Sequence, residues 1–342
     1  MSAPSRTSVG VTGLATYVPA GRLSAADLAT ATGLPEWVVR DKLGIEERVL
    51  PGPDDHPVAM GVTAGERALA DAGVRPEDVD VVISMTEEYK EYPVWTAGIK
   101  LAYDVGARNA YAYDVGQKCG TAVLALKQAK DLLLADESVN VVLVAGGYRN
   151  SDLIDLTDPD VRFMYNLGAG AGAAVVQRGA GHRLLGSSII TDGSFSLDVL
   201  VPVGGTKAPL TPTNVGDYRL RVPDPAGMKE RLEHASLANF VRVVREALER
   251  SGAEPADLAY LAMLHVKRSA HDYLLRELGL APEQSTYLSR YGHLGQVDQI
   301  LSLELARASG RLRPGDLAVA VAAGVGYVWN AVALRWSEEG AA

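Results

Sequence analysis

Apolar positions along the chain come in two kinds of pattern. At 59–72 and 232–250 they recur every third or fourth residue, which predicts two amphipathic helices. At 79–85 (VDVVISM), 140–147 (NVVLVAGG), 258–264 (LAYLAML) and 316–324 (DLAVAVAAG) they run together without clean alternation. Such runs predict strands covered by helices on both faces. The order of the elements repeats. Each predicted helix ends at a glycine, Gly73 or Gly252, and passes a proline-x-aspartate turn, Pro76-Glu77-Asp78 or Pro255-Ala256-Asp257. Each then enters an apolar strand. Between the strands of each set, a helix is predicted to start at a polar, glycine-flanked site. These sites are Cys119-Gly120-Thr121 in the first set and Gly292-His293-Leu294-Gly295 in the second. A repeat of about half the chain is too long for a solenoid unit. It predicts an α/β fold of two duplicated halves, residues 1–178 and 179–342, packed together without a linker. The loop-rich stretch 203–227 reads as a surface excursion near a substrate entrance.

Composition narrows the function classes. The chain has 342 residues, 47% hydrophobic and 22% charged, which is globular. Its net charge of -9 argues against nucleic acid as a partner. No apolar run is long enough to predict a membrane span, and the first residues lack the apolar core of a signal peptide. A single cysteine excludes an internal disulfide and a zinc site built from thiolates. Together these predict a cytoplasmic protein.

The candidate chemistry centres on that cysteine. A helix predicted to run from Cys119 to about Ala135 is apolar nearly all round, hence buried. A thiol at a helix N-terminus has its thiolate stabilised by unpaired N–H groups and can attack a thioester carbonyl. A small buried hydrophobe is the competing reading of Cys119. His265 ends a predicted buried strand, where α/β sheets place functional groups, although a lone histidine there is more often structural. The glycine run 168–173 lacks the lysine and hydroxyl of a phosphate loop, which argues against a nucleotide cradle.

Taken in order, these residues resemble the beta-ketoacyl-acyl-carrier-protein synthase III branch of the thiolase superfamily. Tyr17-Val18-Pro19, Trp37 and Leu43-Gly44-Ile45-Glu46-Glu47-Arg48 are similar to its opening motifs. Asp114-Val115-Gly116-Gln117-Lys118-Cys119-Gly120 resembles its nucleophile motif, and Gly168-Ala169-Gly170-Ala171-Gly172-Ala173 its G-D-G-A-G-A. Pro202-Val203-Gly204-Gly205-Thr206-Lys207-Ala208-Pro209, Leu264-His265-Val266-Lys267-Arg268 and Tyr291-Gly292-His293-Leu294-Gly295 also have counterparts in the family, as does the closing Gly324-Val325-Gly326 through Trp336.

The resemblance implies a thiolase fold, two pseudo-duplicated α/β halves in an α-β-α-β-α layering. It implies an acyl group on Cys119, His265 as donor and base, and an oxyanion hole from the backbone N–H groups of Cys119 and Val325. It further implies acyl-CoA or acyl-carrier-protein partners, no cofactor or metal beyond the pantetheine of the substrate, and a homodimer. Trp37 matches the residue that stacks on the adenine of CoA; Arg40, Arg48, Arg162 and Lys207 are candidate phosphate contacts. His293 departs from the family's Asn, whose amide stabilises the enolate left by decarboxylation. A histidine can replace that donor if its tautomer or charge is right. Asp298 reads as its orienting partner or as a helix N-terminal charge. Lys118 reads as pointing to solvent, or as a charge that lowers the thiol pKa. Glu87 resembles the glutamate acid/base of hydroxymethylglutaryl-CoA synthases, or is a solvated loop charge. Four readings stay open: decarboxylative condensation in a fatty-acid-like or polyketide pathway; acyl transfer to an alcohol, amine or thiol; hydroxymethylglutaryl-CoA synthase-like condensation; and an inactive partner subunit.

Overall fold

The structure, a computed structural model, describes residues 8–337. The first seven residues, where the absence of a signal peptide was read, and the last five of the second predicted half lie outside the described residues. The chain opens with β1 (Val9–Tyr17), the short pair β2 (Gly21–Ser24) and β3 (Glu47–Leu50), and α1 (Ala25–Thr32) between them. The first half continues with α2 (Pro57–Ala72), β4 (Val81–Ser84), α3 (Ala97–Val105), β5 (Tyr111–Asp114), α4 (Thr121–Ala135), β6 (Val141–Tyr148) and β7 (Gly170–Arg178). The second contains β8 (His182–Thr191), α5 (Pro225–Glu249), β9 (Leu258–Met263), α6 (Arg268–Leu278), α7 (Asp298–Ala308), β10 (Leu317–Gly324) and β11 (Val328–Arg335).

The strand order β5-β4-β6-β7-β1-β8-β11-β10-β9 reveals the duplication. In the first half β4 runs parallel to β5 and β6, then β6, β7 and β1 alternate in direction. In the second, β9 runs parallel to β10, then β10, β11 and β8 alternate. Ser285 bridges Leu261 in parallel, the place that β5 takes beside β4. The halves join where Gly10 and Val11 pair with Arg183 and His182.

Because side chains alternate across a strand, the runs without polar positions feed two cores at once. Val82, Leu143 and Val175 pack outward on α2 and α3, whereas Ile83, Val144 and Ala174 pack inward on α4. In the second half, Leu261 and Val319 face α5 and α6, and Ala262 and Ala320 face the central layer with α7. Helices α4 and α7 therefore lie back to back between the two sheet halves. Each has its N-terminus near the end of its own parallel strands, so Cys119 and His293 are carried to the same end of the central layer.

Two predicted boundaries move. Helix α4 begins at Thr121, because residues 118–120 form a tighter 3₁₀ turn around Cys119. Helix α5 begins at Pro225 rather than 232, with Asp224 capping the Gly227 N–H and Pro225 at its first position. The stretch 203–227 is loop apart from bridges such as Gly205 to Ala208, a short turn and the start of α5.

Candidate active site

Cys119 sits in the turn before α4, and its Sγ lies 3.1 Å from His293 Nε2. His293 Nδ1 donates to Asp298 Oδ2 at 2.6 Å. Asp298 is fully buried and opens α7, five residues beyond His293. Its Oδ1 accepts from Leu294 N at 2.7 Å, and its Oδ2 also accepts from His265 N at 2.7 Å. One carboxylate is thus positioned for both roles considered for Asp298, beside His293 and at a helix start. A carboxylate only accepts, so Nδ1 carries the proton and Nε2 is turned to the thiol.

The backbone of His293 is pinned as well. Its N–H donates to Asn166 O at 2.7 Å, and its carbonyl accepts from Gly168 N at 2.8 Å. The ring lies beside Tyr148, centroids 6.1 Å apart. Burial lowers the tendency of His293 to hold a second proton. The Cys119 and Asp298 charges and hydrogen bonds outweigh it, so its pKa is raised well above 6.5.

Among the described residues, the Cys119 thiol bonds to His293 and not to His265. Its Nδ1 accepts from Asn166 Nδ2 at 2.8 Å, and its Nε2 donates to Gly44 O at 3.1 Å. Both nitrogens are occupied, the residue is buried, and burial lowers its pKa to about 4. The strand-end position predicted for it holds, but the ring is a neutral strut between two loops. Asn166, which the sequence reading passed over, fixes it; the residue precedes the glycine run and has no periodicity of its own to mark it.

Other expectations are corrected by packing. Arg48 is buried and donates to Tyr165 O and Leu167 O at 3.1 and 2.9 Å, so its guanidinium is not available to a phosphate. Burial lowers its pKa to about 10. Lys118 does not point to free solvent. Its Nζ lies 2.6 Å from Glu88 and 3.9 Å from Glu87. Burial opposes its charge, but the two glutamates raise its pKa. Glu87 is no solvated loop charge either: it is 5% exposed, and burial raises its pKa against the pull of Lys118. No hydrogen bond joins it to Cys119 or His293. Trp37, Arg40, Arg162 and Lys207 are all exposed, with Arg40 paired to Glu36 at 2.6 Å. Val325 follows β10, where a Cβ on the neighbouring Gly324 would lie 3.1 Å from Cys119 N. That close approach brings the turn after β10 onto the nucleophile's amide.

A cavity of about 520 Å³ flanks the nucleophile turn, lined among others by Glu87, Gln117, Lys118, Asp192, Val325 and Tyr327. Among the described residues, no group of three His, Cys, Asp or Glu side chains is placed to hold a metal, and no helix is long and apolar enough to cross a membrane.

A duplicated α/β fold with a cysteine at one central helix and a histidine–aspartate pair at the other defines a thiolase-fold acyltransferase. Residues 113–193 match the family described as 3-oxoacyl-[acyl-carrier-protein (ACP)] synthase III, and residues 248–336 match its C-terminal part. The beta-ketoacyl-[acyl-carrier-protein] synthase III of Symbiobacterium thermophilum is 30% identical over 336 residues, 96% of this chain and 98% of its own. The priming beta-ketosynthase from the R1128 polyketide biosynthetic pathway shares 26% identity and a TM-score of 0.83, covering 98% of each chain. The synthase III of Thermus thermophilus also has 26% identity and a TM-score of 0.83, covering 96% of this chain and 99% of its own. The chain belongs to the beta-ketoacyl-acyl-carrier-protein synthase III family, and it is an enzyme of the acyl-transferring, condensing class.

Proposed function

We propose that Cys119, His293 and Asp298 act as one unit that takes an acyl group from a thioester onto Cys119 and passes it on by decarboxylative condensation, as the names of its relatives imply. The observation that carries this is His293 Nε2 3.1 Å from Sγ with Nδ1 held by Asp298. In the first step His293 takes the thiol proton. The thiolate attacks the donor carbonyl, and the backbone N–H groups of Cys119 and Val325 receive the oxyanion. The donor's carbon–sulfur bond breaks, and its thiol leaves with the proton. Before the second step His293 takes up a proton from solvent, and the extender's carboxylate then leaves as carbon dioxide. The enolate carbon attacks the acyl carbonyl, and Cys119 departs as thiolate beside a protonated His293. That imidazolium is the donor to the enolate oxygen, in place of the family's amide.

A second reading is favoured by the locked His265. With that ring tied to Asn166 and Gly44, His293 is the histidine hydrogen-bonded to the Cys119 thiol. A single histidine backed by a carboxylate suits a base that deprotonates an alcohol, amine or thiol acceptor. Acylation of Cys119 removes the thiolate charge, the largest influence raising the His293 pKa. The ring then gives up its proton more readily at the stage that needs a base. The glutamate chemistry of hydroxymethylglutaryl-CoA synthases has less support, because Glu87 bonds to neither Cys119 nor His293. An inactive subunit is disfavoured by the intact Cys119–His293 pair.

Acyl-CoA or an acyl carrier protein would supply the acyl group, with Trp37, Arg40, Arg162 and Lys207 as outer contacts and no cofactor besides the substrate's pantetheine. A free thiol nucleophile and such substrates suit the cytoplasm, and the halves divide between residues 178 and 179. The protein is proposed to be a homodimer. The test begins with intact mass after exposure to short acyl-CoAs: a hydroxylamine-labile gain is expected, and none in Cys119→Ala. Product analysis with and without malonyl thioester follows. A new carbon–carbon bond and released carbon dioxide are the expected result; ester or amide products without malonyl consumption would shift the assignment to the second reading.

A further inference from the structure

Asn330 is the polar residue within the buried run 328–334 of β11, and it is fully buried. Its Nδ2 donates twice, to Gln117 Oε1 at 2.8 Å and to Gly120 O at 2.8 Å. The two acceptors bracket Cys119, one before it and one after. A Cβ at Gly120 would lie 2.7 Å from Asn330 Nδ2, so glycine there lets the strand amide reach the turn. Gln117 is also held through its backbone: its N–H donates to Thr121 Oγ1 at 2.8 Å, and that hydroxyl donates to Lys118 O at 2.6 Å.

The residue inside this bracket needs holding. Lys118 has φ +53, the left-handed region that disfavours any residue with a Cβ. A strained residue persists only where its surroundings over-determine it. Gln117 supplies an acceptor that the buried strand amide meets.

We propose that Asn330 and Gln117 are positioning residues that hold the Cys119 backbone N–H in register for the acyl oxyanion. The proposal rests on the reading that Cys119 carries the acyl group. Neither side chain touches the reacting atoms; both act through the turn. An oxyanion donor works only when it sits within hydrogen-bonding distance of where the charge develops. A turn released from its clamp would still present a thiol but would misalign the amide.

That distinction gives the test. The single-turnover rate of Cys119 acylation by a short acyl-CoA is followed by intact mass in Asn330→Ala, Gln117→Met and the double variant. In parallel, alkylation of Cys119 by iodoacetamide reports a reaction that needs the thiol but no oxyanion hole. Acylation should fall about tenfold or more in each single variant, a part of what a lost donor costs. Alkylation should stay within about twofold. The double variant should be no slower than the worse single, as expected of residues that form one bond. Unchanged acylation, or acylation and alkylation falling in parallel, would overturn the proposal. If Asn330→Ala does not fold, Gln117→Met tests the same bond from the partly exposed side. A wild-type protein that is never acylated would instead sink the acyl-cysteine reading itself.

Discussion

Three donors converge on the Asp298 carboxylate, from His265 N, His293 Nδ1 and Leu294 N. An asparagine there has one oxygen to offer and must turn its NH₂ toward a donor, leaving a buried clash of protons. Asp298→Asn should therefore slow acylation of Cys119 by roughly 10²–10⁴-fold, the range of lost general acid–base catalysis. Stopped mass measurements of the acyl-enzyme would give the number; a loss under threefold would deny Asp298 its orienting role. The same pair sets the pH dependence. His293 has its pKa raised, so its proton is present at low pH and is lost as pH rises through the folded value. Condensation that uses the imidazolium as donor should decline along that limb. Transfer to a hydroxyl acceptor should climb along it, because it needs the free base. In His293→Asn the limb should vanish, and condensation started from a preformed acyl-enzyme should remain measurable, since an amide donates at every pH. Rates across pH in both proteins distinguish the two readings.

The element that joins these residues is the turn between Leu167's bridge partner His293 and the start of α7. Gly295 has φ +64, and a Cβ on it would lie 2.3 Å from the Tyr148 ring. Gly295→Ala should cost about 1–3 kcal/mol from the backbone conformation alone and push Tyr148 or the turn away from His293. A lower denaturation midpoint with unchanged slope, together with slower acylation, is the expected result; a variant as stable as the parent would contradict it. At this scale the sequence was legible where function follows position along an element. Cys119 before an apolar helix and Asp298 just past His293 were found because both sit at helix starts, where unpaired N–H groups favour charge. His265 was placed correctly at a strand end, but its ring direction depends on Gly44 and Asn166, 221 and 99 residues away. Arg48 was misread for the same reason: its partners are carbonyls 117 and 119 residues away, which no local pattern announces. Asn330 was invisible because one polar residue in an apolar strand reads as noise until its two acceptors are known.

At the scale of the whole molecule, the apolar strand runs and repeated punctuation were enough to predict the duplicated layers, because covering both faces of such strands leaves few architectures. What the repeat did not announce is the asymmetry between the two ends of the sheet. β9 carries only the Ser285 bridge on its outer side, whereas β5 is a full strand at the opposite edge. Tyr111 on β5 is exposed, as are Ile99 and Tyr103 on α3 alongside it. The loop between β4 and α3 adds exposed Tyr92 and Val94, the latter with φ +57. An open strand edge flanked by apolar side chains is a template for pairing with another strand, and an exposed apolar patch of this kind marks an interaction surface. The homodimer proposed above would place β5 against itself across an isologous two-fold. Ala112→Pro removes one N–H of that edge and adds a ring that a paired strand does not accept. Sedimentation of the wild type should give a dimer, and the variant should shift toward monomer with its fold retained by circular dichroism. The loop 85–96 belongs to the same face and begins at the ends of strands that support Glu87 and Cys119, so loss of the dimer should also lower the rate of acylation. A wild type that sediments as a monomer at micromolar concentration would deny the dimer, and a dimer indifferent to Ala112→Pro would place the interface elsewhere.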